Sequence, residues 1–349
     1  MFSTFSTTLS VITKKVGPLI GTNWSIKLNG AMNTISDIQT GTVIEADITG
    51  QYILAINQGD RLVYTTNDFG TTWVSRTSTH GLPSGTALAP SGCGVSGSGQ
   101  YMYVAMASVA GVAGTIYKSS NYGVSWSRLS GIPGLDYYSL SVSSDGQSVL
   151  CTQCSAGTAA LYLSTNGGAT FNNIASNTSP GGADYWSSYS ISPDGTKIVA
   201  CGWVGKIVYS DNGGTSWTII DNNPAGSSYG QIVVSNTGKC VLTIILGLAN
   251  SVYVWNGTTW TGITVDMIPK DTTRICAASD DLSVILVSQT TASNNGYLYL
   301  STDGGTTFKQ LTAFGSSVYK AVGVSGDGKY IYCSGNNVNS KSSLYSSFN

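Results

Sequence analysis

Apolar positions in this chain fall into short runs, and each run is fenced by Gly, Asn, Asp, Ser or Thr. Tyr52–Ala55, Val149–Cys151, Ile198–Cys201 and Tyr330–Cys333 are apolar throughout, the pattern of a strand covered on both faces. Such runs follow small-residue turns at Ile48–Gly50, Ser96–Gly99, Ser143–Gly146, Ser192–Gly195, Ser235–Gly238, Ser279–Leu282 and Ser325–Gly328. Gly or Asp-Gly there supplies the positive φ of a tight hairpin, so each turn predicts a join between two antiparallel strands. A third strand is predicted at Arg61–Tyr64, Thr115–Lys118, Ala160–Leu163, Lys206–Tyr209, Ser251–Val254, Tyr297–Leu300 and Ser343–Ser346.

A second column of turns follows that third strand, with a period of roughly 45 residues. Five copies spell nearly the same eight residues: Thr66–Trp73 (Thr-Asn-Asp-Phe-Gly-Thr-Thr-Trp), Ser119–Trp126, Ser164–Phe171, Ser210–Trp217 and Ser301–Phe308. Asn256–Trp260 is a shortened copy with the same aromatic exit. A fourth strand starts at each closing aromatic, as in Trp73–Arg76, Trp126–Leu129 and Trp217–Ile220. Four short strands per repeat predict a radial array of small sheets, each packed only on its neighbours.

The ends of the chain set the expected count. The last repeat stops at Leu344–Asn349 without a fourth strand, while Gly21–Leu28 reads as a lone motif end and fourth strand around Trp24. Joining the two predicts an all-β fold: a single seven-bladed β-propeller of four-stranded antiparallel blades, the N-terminal strand completing the C-terminal blade. Closure removes exposed strand edges. Residues 1–20 are then an N-terminal arm and residues 21–349 the propeller.

The Ser-x-Asp-x-Gly-x-Thr-Trp motif resembles the Asp-box, or BNR repeat, of sialidase-like, sortilin-like and xyloglucanase-like propellers and of photosystem II assembly factors. The resemblance covers residues 21–349 and is specific for fold, while those relatives do unrelated things. The residues themselves suggest a mechanical role. Asp68, Asn121, Asn166, Asn212 and Asp303 can bond nearby backbone amides, and Trp73, Trp126, Phe171, Trp217 and Phe308 can plug the space between blades. Asn in three of these places argues against a calcium site, which needs anionic oxygens.

Composition narrows the function classes. Charged residues make up 9% of the chain and hydrophobic ones 41%, against about 25% charged in an ordinary domain. Net charge is −1 and the only basic pair is Lys14-Lys15, so nucleic-acid binding by phosphate neutralisation is not expected. No apolar run is long enough for a membrane span, and the start of the chain lacks the pattern of a secretion signal. Seven cysteines, an odd number set mostly in apolar strands, suggest buried thiols; Cys151 and Cys154 have CxxC spacing without a second pair. No metal and no cofactor is expected.

Catalytic constellations are thin. A sialidase resemblance implies an arginine triad, a tyrosine with a glutamate beside it and an acidic catalyst. This chain has four arginines (Arg61, Arg76, Arg128 and Arg274) and one glutamate, Glu45, on a first strand. Loop acids Asp136, Asp184, Asp266 and Asp271 are candidates for a glycosidase pair, and the sole histidine, His80, has no partner legible in sequence. The face carrying the blade connections and the loops between second and third strands is instead rich in aromatics. Trp186, Trp203, Tyr185, Tyr137, Tyr138 and Tyr229 are the candidate binding residues there, with Tyr189 and Tyr319 on the same face; Tyr138, Tyr189 and Tyr319 read equally as core residues of first strands. Rings flanked by Asn, Ser and Asp suit a glycan or a protein partner. The expectation is a non-catalytic binding or scaffold protein, a component of a cell or virus-particle surface; a glycoside hydrolase with an unrecognised acid pair is the alternative.

Overall fold

A computed structural model describes residues 9–13, 15–16, 27–32, 43–57, 61–83, 88–109, 111–155, 158–174, 186–202, 206–220, 229–244, 252–263, 273–290, 296–312, 316, 318–336 and 342–348. Within them the chain forms six four-stranded antiparallel sheets, each made of consecutive strands in sequence order. These six blades span residues 43–76, 88–128, 137–173, 186–219, 229–262 and 273–310. Blade 1, for instance, runs Val43–Ala46, Ile53–Asn57, Leu62–Thr66 and Val74–Arg76. The second strands are the most completely covered, Ile53–Asn57 and Ile198–Gly202 being buried at every position.

The expectation of seven such blades is corrected to six. The chain ends build a sheet of a different kind, with six strands and both parallel and antiparallel pairs. Val318–Val324, Ile331–Asn336 and Ser342–Phe348 pair in antiparallel order. The next strand inward from the N-terminus is Leu9–Thr13, running parallel to Ser342–Phe348 with Val11 opposite Leu344. Lys27–Met32 lies beyond it and pairs antiparallel with Leu9–Thr13. A parallel strand thus occupies the place foreseen for an antiparallel fourth strand at Trp24, and Trp24 itself lies outside the described residues.

A string of hydrogen bonds around the hairpin turns gives the order of the sheets. Ile48 N–H donates to Gly97 O (3.0 Å), Gly97 N–H to Ser144 O (2.8 Å) and Ser144 N–H to Pro193 O (2.7 Å). Proline has no N–H to pass on, and Asp194 N–H donates instead to Asn236 Oδ1 (2.8 Å). Asp280 N–H reaches Gly326 O (3.0 Å), and Asp327 N–H returns to Ile48 O (2.9 Å). The terminal sheet therefore stands between blade 6 and blade 1.

Each seam between neighbouring sheets holds its own apolar cluster. Ile44, Ile53 and Tyr64 of blade 1 meet Ala321, Tyr330 and Tyr332 of the terminal sheet, while Leu54 and Ile56 meet Cys93, Met102 and Val104 of blade 2. Tyr332 Oη also donates to Gly50 O (3.0 Å) across the first of these seams. Gly50 has φ +76°, and a Cβ there would stand 2.2 Å from that phenol oxygen; only glycine meets both demands.

Candidate functional site

The first strand of every blade and of the terminal sheet lines a cavity of about 400 Å³ along the axis. Each strand runs from the loop face, where the blade connections arrive, to the turn face. The two turn columns share the turn face: Phe69 N–H donates to Gln51 O (3.2 Å), Tyr122 N–H to Gln100 O (3.1 Å) and Gly167 N–H to Gln147 O (2.8 Å). The loop-face ends of the first strands are where side chains are redirected. Register shifts interrupt six of the seven, between Pro90/Gly92, Tyr137/Leu140, Trp186/Ser188, Tyr229/Ile232, Thr273/Ile275 and Tyr319/Ala321. Such bulges re-aim a side chain and gather next to binding sites.

Four of the residues just before these bulges are aromatic plugs. Tyr137, Trp186, Tyr229 and Tyr319 are all buried within the seams, and Tyr137 Oη donates to Pro133 O (2.8 Å). Tyr189 is buried too, its hydroxyl accepting from Thr152 N–H (3.0 Å). Tyr138 follows its plug and is turned outward, 47% exposed. It precedes Ser139 and Leu140, which line the channel, and stands at the loop-face end of the Tyr137–Val142 strand. Tyr185 and Trp203 lie outside the described residues.

Hydroxyls and amides of the first strands sew the channel wall together. Ser141 Oγ accepts from Ile191 N–H (3.0 Å), Ser188 Oγ from Ile232 N–H (3.0 Å), Ser190 Oγ from Val234 N–H (3.2 Å) and Gln231 Oε1 from Cys276 N–H (3.2 Å). Ser91 Oγ donates to Tyr137 O. The innermost strands have no sheet partner on the axial side, and these bonds satisfy amides that the ladder leaves over. Among the described lining residues Glu45 and Asp280 are the only carboxylic acids, and none is a lysine, arginine or histidine. Glu45 sits two residues before its hairpin turn, a level at which its neighbours on either side are Gly94 and Gly323. Burial in this uncharged wall pushes its carboxyl up to about 7. Asp280, at the turn-face end, is raised by burial and then by the charges of Asp281 and Asp327.

The eight-residue turns form a repeated hydrogen-bond unit. The first hydroxyl (Thr66, Ser119, Ser164, Ser210, Ser301) accepts from the N–H of Gly70, Gly123, Gly168, Gly214 or Gly305 at 2.8–3.1 Å. It donates to the side-chain oxygen of Asp68, Asn121, Asn166, Asn212 or Asp303, which also accepts the N–H four residues on. The second side-chain atom meets the hydroxyl at the seventh position. Asp68 Oδ2 accepts from Thr72 Oγ1 (2.7 Å), whereas Asn121 Nδ2 donates to Ser125 Oγ (2.9 Å). A hydroxyl serves either role, which is why acid and amide interchange here. Trp73, Trp126 and Trp217 donate their indole N–H to Gly70, Gly123 and Gly214 O, and Phe171 and Phe308 pack in neighbouring seams.

Most remaining described acids are held by their own turns. Asp47, Asp145, Asp194, Asp281 and Asp327 each accept an N–H and a hydroxyl within five residues. The loop acid Asp136 accepts from Ser108 N–H and from Ser108 Oγ (3.0 Å); Asp184, Asp266 and Asp271 lie outside the described residues. His80 Nδ1 accepts from Thr77 N–H (3.2 Å) in a short 3-10 turn. Cys93, Cys151, Cys201, Cys240, Cys276 and Cys333 are buried and unbridged. Among the described residues no group of three His, Cys, Asp or Glu side chains is placed to hold a metal ion, and no helix is long and apolar enough to cross a membrane.

Sequence reasoning passed over Glu45 as a site residue, although its being the single glutamate, set in a first strand, was the available signal. It also missed the bulges, which have no fixed residue signature: Pro90-Ser, Tyr137-Tyr and Thr273-Arg all begin one.

No protein-family model and no curated protein matches the sequence. Solved structures do resemble the fold. The GH74 xyloglucanase from Xanthomonas campestris superposes with a TM-score of 0.63 at 16% identity, covering 88% of this chain and 55% of the enzyme. The chain thus spans about half the length of that enzyme. YCF48 bound to D1 peptide gives 0.61 at 14% identity, covering 86% of this chain and 90% of that one. YCF48 from Cyanidioschyzon merolae gives 0.59 at 15%, covering 89% and 97%. These likenesses show a β-propeller, in a hydrolase and in a peptide-bound protein alike.

Proposed function

We propose that this chain is a non-catalytic binding or scaffold propeller whose partner, a glycan or a protein segment, seats on the loop-face rim of the channel. The observation that carries the reading is the set of bulges, which buries an aromatic at the loop-face end of four first strands and leaves Tyr138 exposed at one of those ends. An exposed ring among serines stacks on a sugar face or on an apolar side chain, and the hydroxyls orient it. Engagement of the turn acids in their own loops supports the non-catalytic part. The resemblance of a peptide-bound propeller supports a protein segment as one class of partner. The eight-residue turns are read as Asp-box (BNR) repeats with a purely mechanical task. A charge-poor, hydroxyl-covered surface suits a component of a cell or virus-particle exterior.

A glycan array and a peptide array, each probed with the intact protein and with Tyr138→Ala, test this reading. The expected result is binding that falls at least tenfold in the variant with unchanged unfolding temperature; equal binding by both proteins contradicts it. A second reading, glycoside hydrolysis, is favoured by one observation: a carboxyl held at about 7 and facing a 400 Å³ cavity suits a general acid. Turnover of an array hit, abolished by Glu45→Gln, would establish that reading and displace the first.

A further inference from the structure

Asn256 opens the shortened turn of blade 5, between the strands Val252–Trp255 and Trp260–Gly262. It is exposed and is followed by Gly257. Glycine has no side chain to hinder its backbone nitrogen, so in an Asn-Gly pair that nitrogen can attack the asparagine side-chain carbonyl and close a five-membered ring. The eight-residue turns carry the same pair at Asn166-Gly167 and Asn212-Gly213. The side chains of Asn29 and Asn295, each also followed by glycine, lie outside the described residues.

The three pairs differ in what holds the attacking nitrogen. Gly167 N–H donates to Gln147 O (2.8 Å) and Gly213 N–H to Thr196 O (2.8 Å), bonds that tie the two turn columns together. The glycines that follow Asp145, Asp194, Asp303 and Asp327 donate to carbonyls in the same way. Gly257 N–H makes no hydrogen bond among the described residues. Its surroundings are open as well: a Cβ built there would meet nothing within 4 Å. The carbonyl under attack is a second, independent difference. Asn256 Oδ1 accepts from Thr258 N–H, Thr258 Oγ1 and Thr259 N–H, each at 2.9 Å. Asn166 Oδ1 and Asn212 Oδ1 each take one hydroxyl and one amide. Donors gathered on one oxygen stabilise the charge it gains when its carbon is attacked.

We propose that Asn256 is a modification site at which the protein deamidates itself. Gly257 N gives its proton to solvent and attacks Asn256 Cγ. The N–Cγ bond forms, the Cγ–Nδ2 bond breaks, and the nitrogen takes up a proton and leaves as ammonia. Water then opens the ring: addition at Cγ leaves aspartate, and addition at the main-chain carbonyl carbon leaves isoaspartate, whose backbone is one carbon longer. Either product puts a negative charge into a turn flanked by Trp255 and Trp260, whose ring centroids lie 5.3 Å apart. The reaction needs only water and goes forward whether or not the channel rim binds a partner.

Incubation of the intact protein at mildly alkaline pH, with peptide mapping by mass spectrometry at intervals, tests it against the same chain held unfolded in urea. In urea, Asn166, Asn212 and Asn256 are expected to convert at similar rates, because each is followed by glycine and none has its turn. Folding should slow Asn166 and Asn212 at least tenfold and leave Asn256 the fastest of the three. A tenfold slowing corresponds to about 1.4 kcal/mol, the scale of one backbone hydrogen bond. Slowing of Asn256 equal to that of the other two, or a lead of Asn256 that persists undiminished in urea, overturns the proposal: the first removes the role of the unbonded Gly257 N–H, and the second assigns the lead to local sequence instead of the fold.

Discussion

Glu45 is the acid of the channel wall whose protonation burial shifts toward neutral pH. Its carboxyl is raised by burial from 4.5 to about 7, so the folded protein holds a proton there that the unfolded chain gives up. The native state then binds more protons between those two values, and stability falls as pH rises through them. The account predicts that Glu45→Gln gains on the order of 2–3 kcal/mol relative to the parent near pH 8 and almost nothing near pH 4, read from urea unfolding at both. A gain equal at the two pH values would show that the carboxyl is not held protonated by its surroundings. Gly50 tests the seam at the same scale. Gly50→Ala should cost at least ~1–2 kcal/mol from its left-handed backbone, and more because the new Cβ would displace the buried Tyr332. Unfolding free energies within a few tenths of the parent would contradict this.

The eight-residue turn is the element whose chemistry is most completely readable. Its hydroxyl at the first position bonds both an amide and the side chain two residues on, so Ser164→Ala leaves a buried N–H of Gly168 without an acceptor. The expected loss is about 1–2 kcal/mol in urea unfolding, whereas Asn166→Asp should stay within about 0.5 kcal/mol because the Thr170 hydroxyl can donate where it now accepts. Equal losses in the two would show that the first hydroxyl is not the hub. Blades 1 to 6 were legible in sequence because this turn and the Gly hairpin recur in fixed order, each with its own backbone demand. The rim was not. A bulge depends on register between two strands, and Tyr137 and Tyr138 differ in fate by one residue while being the same amino acid. Trp186 and Tyr229 read as loop-face rings, yet each opens a first strand and is buried.

At the scale of the whole molecule, the ring depends on how the chain ends meet. The sequence showed both ends to be incomplete and misjudged their union: pairing was foreseen at Trp24, and the chain pairs at Leu9–Thr13, in the parallel sense. A motif-like turn carries no information about strand direction, which is set by where the chain crosses the sheet. Removing residues 1–16 should expose the edge of Ser342–Phe348 and let copies pair through it; light scattering is expected to show oligomers and a lowered unfolding temperature, and a monomer of unchanged stability would contradict the role of that strand. The central claim concerns the opposite matter, the face on which partners bind. Hydrogen exchange of the intact protein, with and without the best array hit, tests it most directly. The account predicts slowed exchange at the loop-face ends of the first strands, centred on Tyr138–Leu140, with the turn-face hairpins at Gly50, Gly146 and Gly195 unchanged; slowing confined to the turn face, or none at Tyr138, would contradict it.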